Sequence, residues 1–375
     1  MGARPCGECE AICRRHGGGL RPRLAKVELL IVRTRFCRLV LFLCLAASAG
    51  SLGHAQANAG HPITDQAGRQ VVVPAQPQRI ADLWYAHNEL LIMLGAASSI
   101  AVTVDRPQTA PWMFQVAPAL NHAIQLRNTV PNAEALLEAR TDLVFVPSGG
   151  GNAAALRRVG LPTVSVAFTD APSLLRCLDV TASALGTAQA QAVARRYAAE
   201  LSDTTGRIRA VTDPIPMAAR PRVLHISSLV PLKADGEQTV IDDWIKVAGG
   251  RNAALGLSGN MQPVSLEQIV AWNPDIIILG GNAGTFDAAH ASALWQSVAA
   301  VRNGRVFRNP EGVYMWDRYG VEYILQLSWA AKTLHPDLFR YIDMVSLTRR
   351  FYRDFFGYPL GADDAMRMID ALPPR

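Results

Sequence analysis

The chain has 375 residues, half of them hydrophobic and 18% charged, with a formal net charge of +6. That excess is local: residues 1–57 hold nine Lys/Arg against three Asp/Glu, and the rest carries 28 of each sign. A basic body for gripping nucleic acid is not supported, while the length admits two domains with their own cores.

In chain order, Arg33, Arg35 and Arg38 flank an apolar or small run over 39–49, and Ala55-Gln56-Ala57 follows as a small-x-small cleavage site. This is the pattern of an export signal, with a mature chain beginning near Asn58. The run is short for a bilayer span, and Cys44, inside it after bulky Leu43, makes a poor lipid anchor. The first two dozen residues fit no signal, as expected of a start placed too far upstream, with Val27 as the alternative. Five of the six cysteines lie in this leader. Only Cys177 follows, in an apolar helical setting, so no internal disulfide is expected.

Residues 63–65 and 71–73 read as a small hairpin, broken by Pro74 and Pro77. A first core strand is expected over 79–83, a helix over 88–94 closed by Gly95, and a second strand over 100–104 before the turn at Asp105-Arg106-Pro107. A Glu-bearing helix then feeds a strand over 142–146, followed by helix 153–159 and strand 163–166. Strands and helices alternating at these lengths indicate a parallel sheet covered on both faces. Residues 187–211 lack Gly and Pro before Gly206, and Val193, Tyr197, Leu201, Ile208 and Val211 recur at helical spacing. After the Pro-rich stretch 214–221 the order repeats: strand 222–226, helix 240–248, a second Glu-bearing helix, strand 275–279, strand 304–307 and a long helix over 320–334.

The repeat is specific. Asn132-Ala133-Glu134-Ala135-Leu136-Leu137 leads to Asp142, and Ser265-Leu266-Glu267-Gln268-Ile269-Val270 leads at the same spacing to Asp275. Each Glu sits in a first helical turn, where a carboxylate favours the helix dipole or completes a capping box. One such Glu needs no further reason. Two at matching positions point to paired acidic knobs that dock on a two-fold partner.

In open α/β sheets ligands bind beyond the carboxyl ends of the strands. The residues expected there include Trp84, Tyr85, His87, Arg106, Trp112, Trp316 and Arg318, a set that suits a bulky, partly apolar ligand carrying negative charge. Each has an ordinary alternative: the aromatics as rim or core packing, the arginines as surface cations, His87 as a direct metal ligand or a mere helix cap. His225, on a strand buried on both faces, reads as a hydrogen-bonded core residue, and Lys233 with Asp235-Gly236 as a loop. Gly149-Gly150-Gly151 opens a helix as a weak anion cradle. No nucleophile elbow, Walker loop or zinc-protease helix is present in the sequence.

Asp65-x-x-Gly68-Arg69-x-Val71-x-Val73-Pro74, Arg79-Ile80, the paired Glu units, the long helix, Trp316-Asp317-Arg318-Tyr319-Gly320-x-Glu322, His335-Pro336-x-Leu338-Phe339 and Phe355-Phe356-Gly357-Tyr358-Pro359-Leu360 stand in order from residue 63 to about 361. In this the chain resembles the periplasmic-binding proteins of iron-chelate and vitamin B12 ABC importers. The resemblance implies an α/β fold of two Rossmann-like lobes with central parallel sheets joined by one long rigid α-helix, the class III periplasmic-binding-protein fold. The expected divisions are an export signal at 1–57, an N-terminal lobe at 58–186, the inter-lobe helix at 187–212 and a C-terminal lobe at 213–375. It also implies a non-enzymatic, monomeric periplasmic protein whose Glu134 and Glu267 meet arginines on an ABC permease dimer. With no His/His/Asp/Glu cage in view, the expected ligand is an iron-siderophore or similar metal chelate, with no cofactor of the protein's own. The alternatives are cobalamin, haem, a nickel or cobalt chelate or an oxyanion in the same fold, then an exported metal-dependent enzyme or a two-lobed sensor.

Overall fold

Apolar runs too short for helices become strands sealed on both faces. A computed structural model describes residues 60–127, 133–149, 153–288 and 292–375; the leader, Gly150, Gly151 and Asn132 lie outside these. After the hairpin β1 (His61–Thr64) and β2 (Gln70–Val73), five strands form one sheet: β3 (Ile80–Asp82), β4 (Ile100–Thr103), β5 (Ile124–Gln125), β6 (Leu143–Pro147) and β7 (Thr163–Val166). Their order is β5-β4-β3-β6-β7, with every pairing parallel. The helices between them are α1 (Asn88–Met93), α2 (Pro111–Val116), α3 (Ala133–Glu138) and α4 (Ala153–Arg158), and α5 (Ala171–Leu185) follows β7. Asp170 and Ser173 form a capping box at the start of α5, and Gly186 closes it at φ 68°. Gly186 also backs onto the Ala75 carbonyl, which a Cβ would strike.

Helix α6 (Ala188–Thr212) runs 25 residues from its Thr187 cap, about 37 Å at 1.5 Å per residue. Its buried stripe, Ala190, Ala194, Tyr197, Leu201, Thr204, Ile208 and Thr212, recurs every three or four positions. The stripe packs on α5 of the first sheet's layer and on α7 (Val240–Val247) and α11 (Tyr323–Leu334) of the second.

The second sheet holds β8 (Arg222–Leu229), β9 (Leu232–Ala234), β10 (Arg251–Asn252), β11 (Gln262–Pro263), β12 (Ile276–Leu279) and β13 (Val306–Arg308). Strands β8, β10, β12 and β13 are parallel. Strand β8 continues past the expected residue 226 and turns back into β9, and β11 pairs on β9, both antiparallel. This half is therefore mixed where only parallel strands were expected, and Lys233 lies on β9 instead of in a loop. The remaining helices are α8 (Leu266–Trp272), α9 (Ala293–Gln296), α10 (Ala299–Arg302), α12 (Met344–Phe351) and α13 (Ala362–Ile369).

Residues Asn58–Arg375 pack as one compact unit. Its largest apolar core runs without a break from Leu90, Leu91 and Trp112 beside the first sheet to Trp316, Tyr323, Tyr352 and Met368 beside the second. Polar ties reinforce it: Trp112 Nε1 donates to the Leu372 carbonyl at 2.9 Å, Gln115 Nε2 to Tyr358 Oη at 3.0 Å, and Tyr197 Oη of α6 to the Val321 carbonyl at 2.8 Å. The two halves are thus joined by a shared interior as well as by α6.

Candidate functional site

In the first sheet the strand order reverses between β3 and β6, so the connections leave in opposite directions beyond their carboxyl ends. Trp84 and Tyr85 follow β3 and are half-buried. Trp84 meets Phe168 at 5.4 Å between ring centroids and Tyr319 at 5.8 Å, and Phe168 meets Tyr319 edge-on at 5.5 Å. Tyr319 lies beyond β13, so this cluster is built from both halves. Arg106 follows β4, half-buried, and its Nε is enclosed without a hydrogen-bond partner. An enclosed, unpaired donor carries a cost, and the half-buried side chain keeps part of its surface open to an incoming acceptor.

Other expected ligand residues sit elsewhere. His87 is fully buried, its Nδ1 2.9 Å from Asp82 Oδ2 and its Nε2 2.9 Å from Thr181 Oγ1. Both nitrogens are occupied, so it offers a metal nothing, and although it stands at the N-cap position of α1 its side chain makes no capping hydrogen bond. Trp112 and Trp316 are core residues at 1% and 0% exposure, with indole N–H groups given to the Leu372 carbonyl and to Glu322 Oε1. In each case an aromatic expected to line the cleft is packed in the core instead, where its area is worth more buried.

Arg318 sits at the site but is engaged. It holds Asp235 through two bonds of 3.1 and 3.2 Å. Asp235 also takes His225 Nδ1 at 2.7 Å and the Met261 N–H at 2.8 Å, and His225 Nε2 meets Asp317 Oδ2 at 2.7 Å. Burial alone would raise Asp235, but His225, Arg318 and the Met261 N–H hold it well below the usual carboxylate range. Burial likewise opposes a charge on His225, and its two carboxylate partners outweigh that and raise it. The four groups form a balanced buried network, leaving Asp317 Oδ1 without a partner. Beside it, burial and the Asp317 charge push Glu311 up to about 7. Arg308 binds the Gly280 carbonyl at 2.9 Å, fixing the loop after β12. Sequence reasoning identified His225 as a buried, bonded residue but missed Asp235 and Glu311. A signal was present in the density of charged and aromatic residues over 311–322.

Among the described residues no group of three or more His, Cys, Asp or Glu is arranged to hold a metal ion, and no helix is long and apolar enough to cross a membrane.

Glu134 and Glu267 are both exposed, in the first turns of α3 and α8. The capping box of α8 is made by Ser265 and Gln268, so the cap does not require Glu267. Its carboxylate is nonetheless lowered by backbone N–H donation and by Ser265.

Two open α/β sheets joined by a shared core, with aromatics and a cation beyond their strand ends, are the architecture of a solute-binding protein. Residues 80–312 match the family model described as periplasmic binding protein, and the chain belongs to that family. The molybdate-binding protein MolA of Haemophilus influenzae is 24% identical over 360 residues, covering 88% of this chain and 99% of that one. A cobalamin-binding protein of Halobacterium salinarum is 28% identical over 291 residues, 72% of this chain and 75% of its own length. The solved periplasmic solute binding protein from Veillonella parvula superposes with a TM-score of 0.69 at 23% identity, over 82% of this chain and 96% of its own. Members of the family work with ABC permeases in the periplasm and bind small molecules.

Proposed function

We propose that the protein captures a negatively charged metal species and delivers it to a two-fold ABC permease, an iron-siderophore or similar metal chelate being the first ligand class. The observation that carries this is the Arg106 guanidinium: its Nε is enclosed and unpaired at the end of β4, whereas the charge of Arg318 is spent on Asp235. A ligand bringing its own metal coordination needs from the protein only an anion partner and apolar walls, which Arg106, Trp84, Tyr85, Phe168 and Tyr319 provide.

A metal oxyanion is the second reading. It is favoured by the molybdate-binding relative aligned over 88% of the chain and by the rings of Trp84 and Tyr319 already in contact at 5.8 Å. Cobalamin or haem would have to part those rings, which counts against the flat macrocycles. Glu134 and Glu267 would meet cations on the two permease subunits, setting orientation and encounter rate more than affinity.

Intrinsic tryptophan fluorescence tests the ligand class, because Trp84 lies at the site. Ferric catecholates, ferric hydroxamates, a nickel chelate, molybdate, haem and cobalamin form the panel. Saturable quenching by an anionic metal species supports the reading; a response to cobalamin alone overturns it.

A further inference from the structure

Folding does not account for the tip of the β8–β9 hairpin. Leu229 pairs with Leu232, leaving Val230-Pro231 as a two-residue turn. Such turns favour Asn-Gly or Asp-Gly, whose backbones suit them. Here Val230 is 91% exposed, more than any other large hydrophobic residue among those described, and Pro231 is exposed beside it. Leu229 and Leu232 anchor the hairpin against the second apolar core, so Val230 adds nothing to packing. Both turn residues are conformationally stiff, so burying them against a partner loses little entropy.

The tip adjoins α8. Strand β11 pairs with β9 at Lys233↔Pro263, and the Val264 N–H donates to the Leu232 carbonyl at 3.2 Å. Continuing that register sets Pro231 opposite Ser265, the cap of α8, roughly one strand spacing of 5 Å away. Glu267 follows two residues later. An exposed apolar prong and an exposed carboxylate thus share one edge of the second half. The described first sheet has only parallel pairs and no such hairpin.

We propose that the Val230-Pro231 turn is the apolar part of the contact with the permease whose acidic part is Glu267, seated in an apolar depression beside the cation that receives that carboxylate. The proposal rests on the docking reading of Glu134 and Glu267 and goes beyond it by giving the second half a contact that the first lacks.

The test is photo-crosslinking in cells expressing the full chain, with p-benzoylphenylalanine replacing Val230, Glu267, Glu134 or, as control, Met217. Met217 is 63% exposed but lies before the start of β8, roughly 25 Å away at about 3.3 Å per strand residue. The expected result is that the probes at Val230 and Glu267 attach to the same ABC permease polypeptide and the probe at Met217 does not. Adding Val230→Asp to the Glu267 probe should cut that product about tenfold. If the Glu267 probe reaches the permease while the Val230 probe does not, or Val230→Asp leaves the yield unchanged, the hairpin proposal is overturned and the docking reading stands. If neither glutamate probe reaches a permease, the docking reading itself fails.

Discussion

Glu89 of α1 accepts the backbone N–H of Glu322 through Oε1 at 2.9 Å, so two buried carboxylates meet where the two halves join. Glu322 is well supplied: it takes the Tyr314 N–H at 2.9 Å, the Trp316 indole N–H at 2.9 Å and the Tyr352 hydroxyl. Glu89 Oε2 has no partner, and Gly320 passes so close that a Cβ there would overlap it. Burial and the neighbouring Glu322 push Glu89 well above its usual 4.5, and burial pushes Glu322 up to about 8. With more donors aimed at it, Glu322 is the first of the two to lose its proton as pH rises, and Glu89 holds its proton longer.

This relationship sets a pH dependence. A carboxyl raised in the folded state binds its proton more tightly folded than unfolded, so its contribution is complete below about 4.5 and is lost as pH climbs towards about 8. Thermal melts should show stability falling between pH 5 and pH 8. Glu89→Gln, a neutral isostere that keeps the acceptor, should flatten that slope and at pH 8 match or exceed the native chain by ~1 kcal/mol. A melting temperature that rises over this range, or a slope unchanged in the variant, contradicts the assignment.

Arg318→Ala separates a structural cation from a ligand-binding one. Removing it leaves Asp235 buried beside Asp317 with His225 as its only cationic partner. The expected loss is ~3 kcal/mol or more, as for other broken buried pairs. Denaturant titration of the ligand-free protein reads this directly. A variant as stable as the native chain would return Arg318 to the ligand.

These two networks mark the limit of what the sequence discloses. Apolar runs and period are local, so the strand expected at 163–166 is β7 and the helix expected at 187–211 is α6. Strand β9 was hidden because Lys233 with the following Asp235-Gly236 has turn-like composition, and only the Leu229↔Leu232 pairing makes Leu232–Ala234 a hairpin arm. Trp112 and Trp316 were misplaced for a related reason. An aromatic beyond a strand end looks the same whether it lines a cleft or fills a junction, and the difference lies in Leu372 and Glu322, 260 and 6 residues away. Trp84, by contrast, is only half-buried and meets Phe168 and Tyr319 from opposite halves.

The core shared by both halves, added to α6, predicts little closure on loading. Small-angle scattering of the ligand-free and saturated protein should give radii of gyration within ~1 Å, unlike proteins that close by hinge motion. A change of several ångströms would mean that the junction around Glu89 and Glu322 opens.

Charge reversal at both knobs, Glu134→Arg with Glu267→Arg, should stop uptake in cells while leaving ligand affinity and stability nearly unchanged, since both side chains are exposed. Each single change should reduce uptake in part. Full uptake by the double variant would remove the docking role from these residues.

The central claim is that Arg106 confers selectivity for an anionic metal species. The most direct measurement is calorimetric titration of the native chain and Arg106→Ala with the tightest-binding ligand of the panel, and with cobalamin in parallel. Losing a charged hydrogen bond of about 1.5–3 kcal/mol should weaken the anionic ligand roughly 10- to 100-fold, with no measurable cobalamin binding by either protein. Equal affinity of the two proteins for the anionic species, or tight cobalamin binding that survives the substitution, would contradict the account.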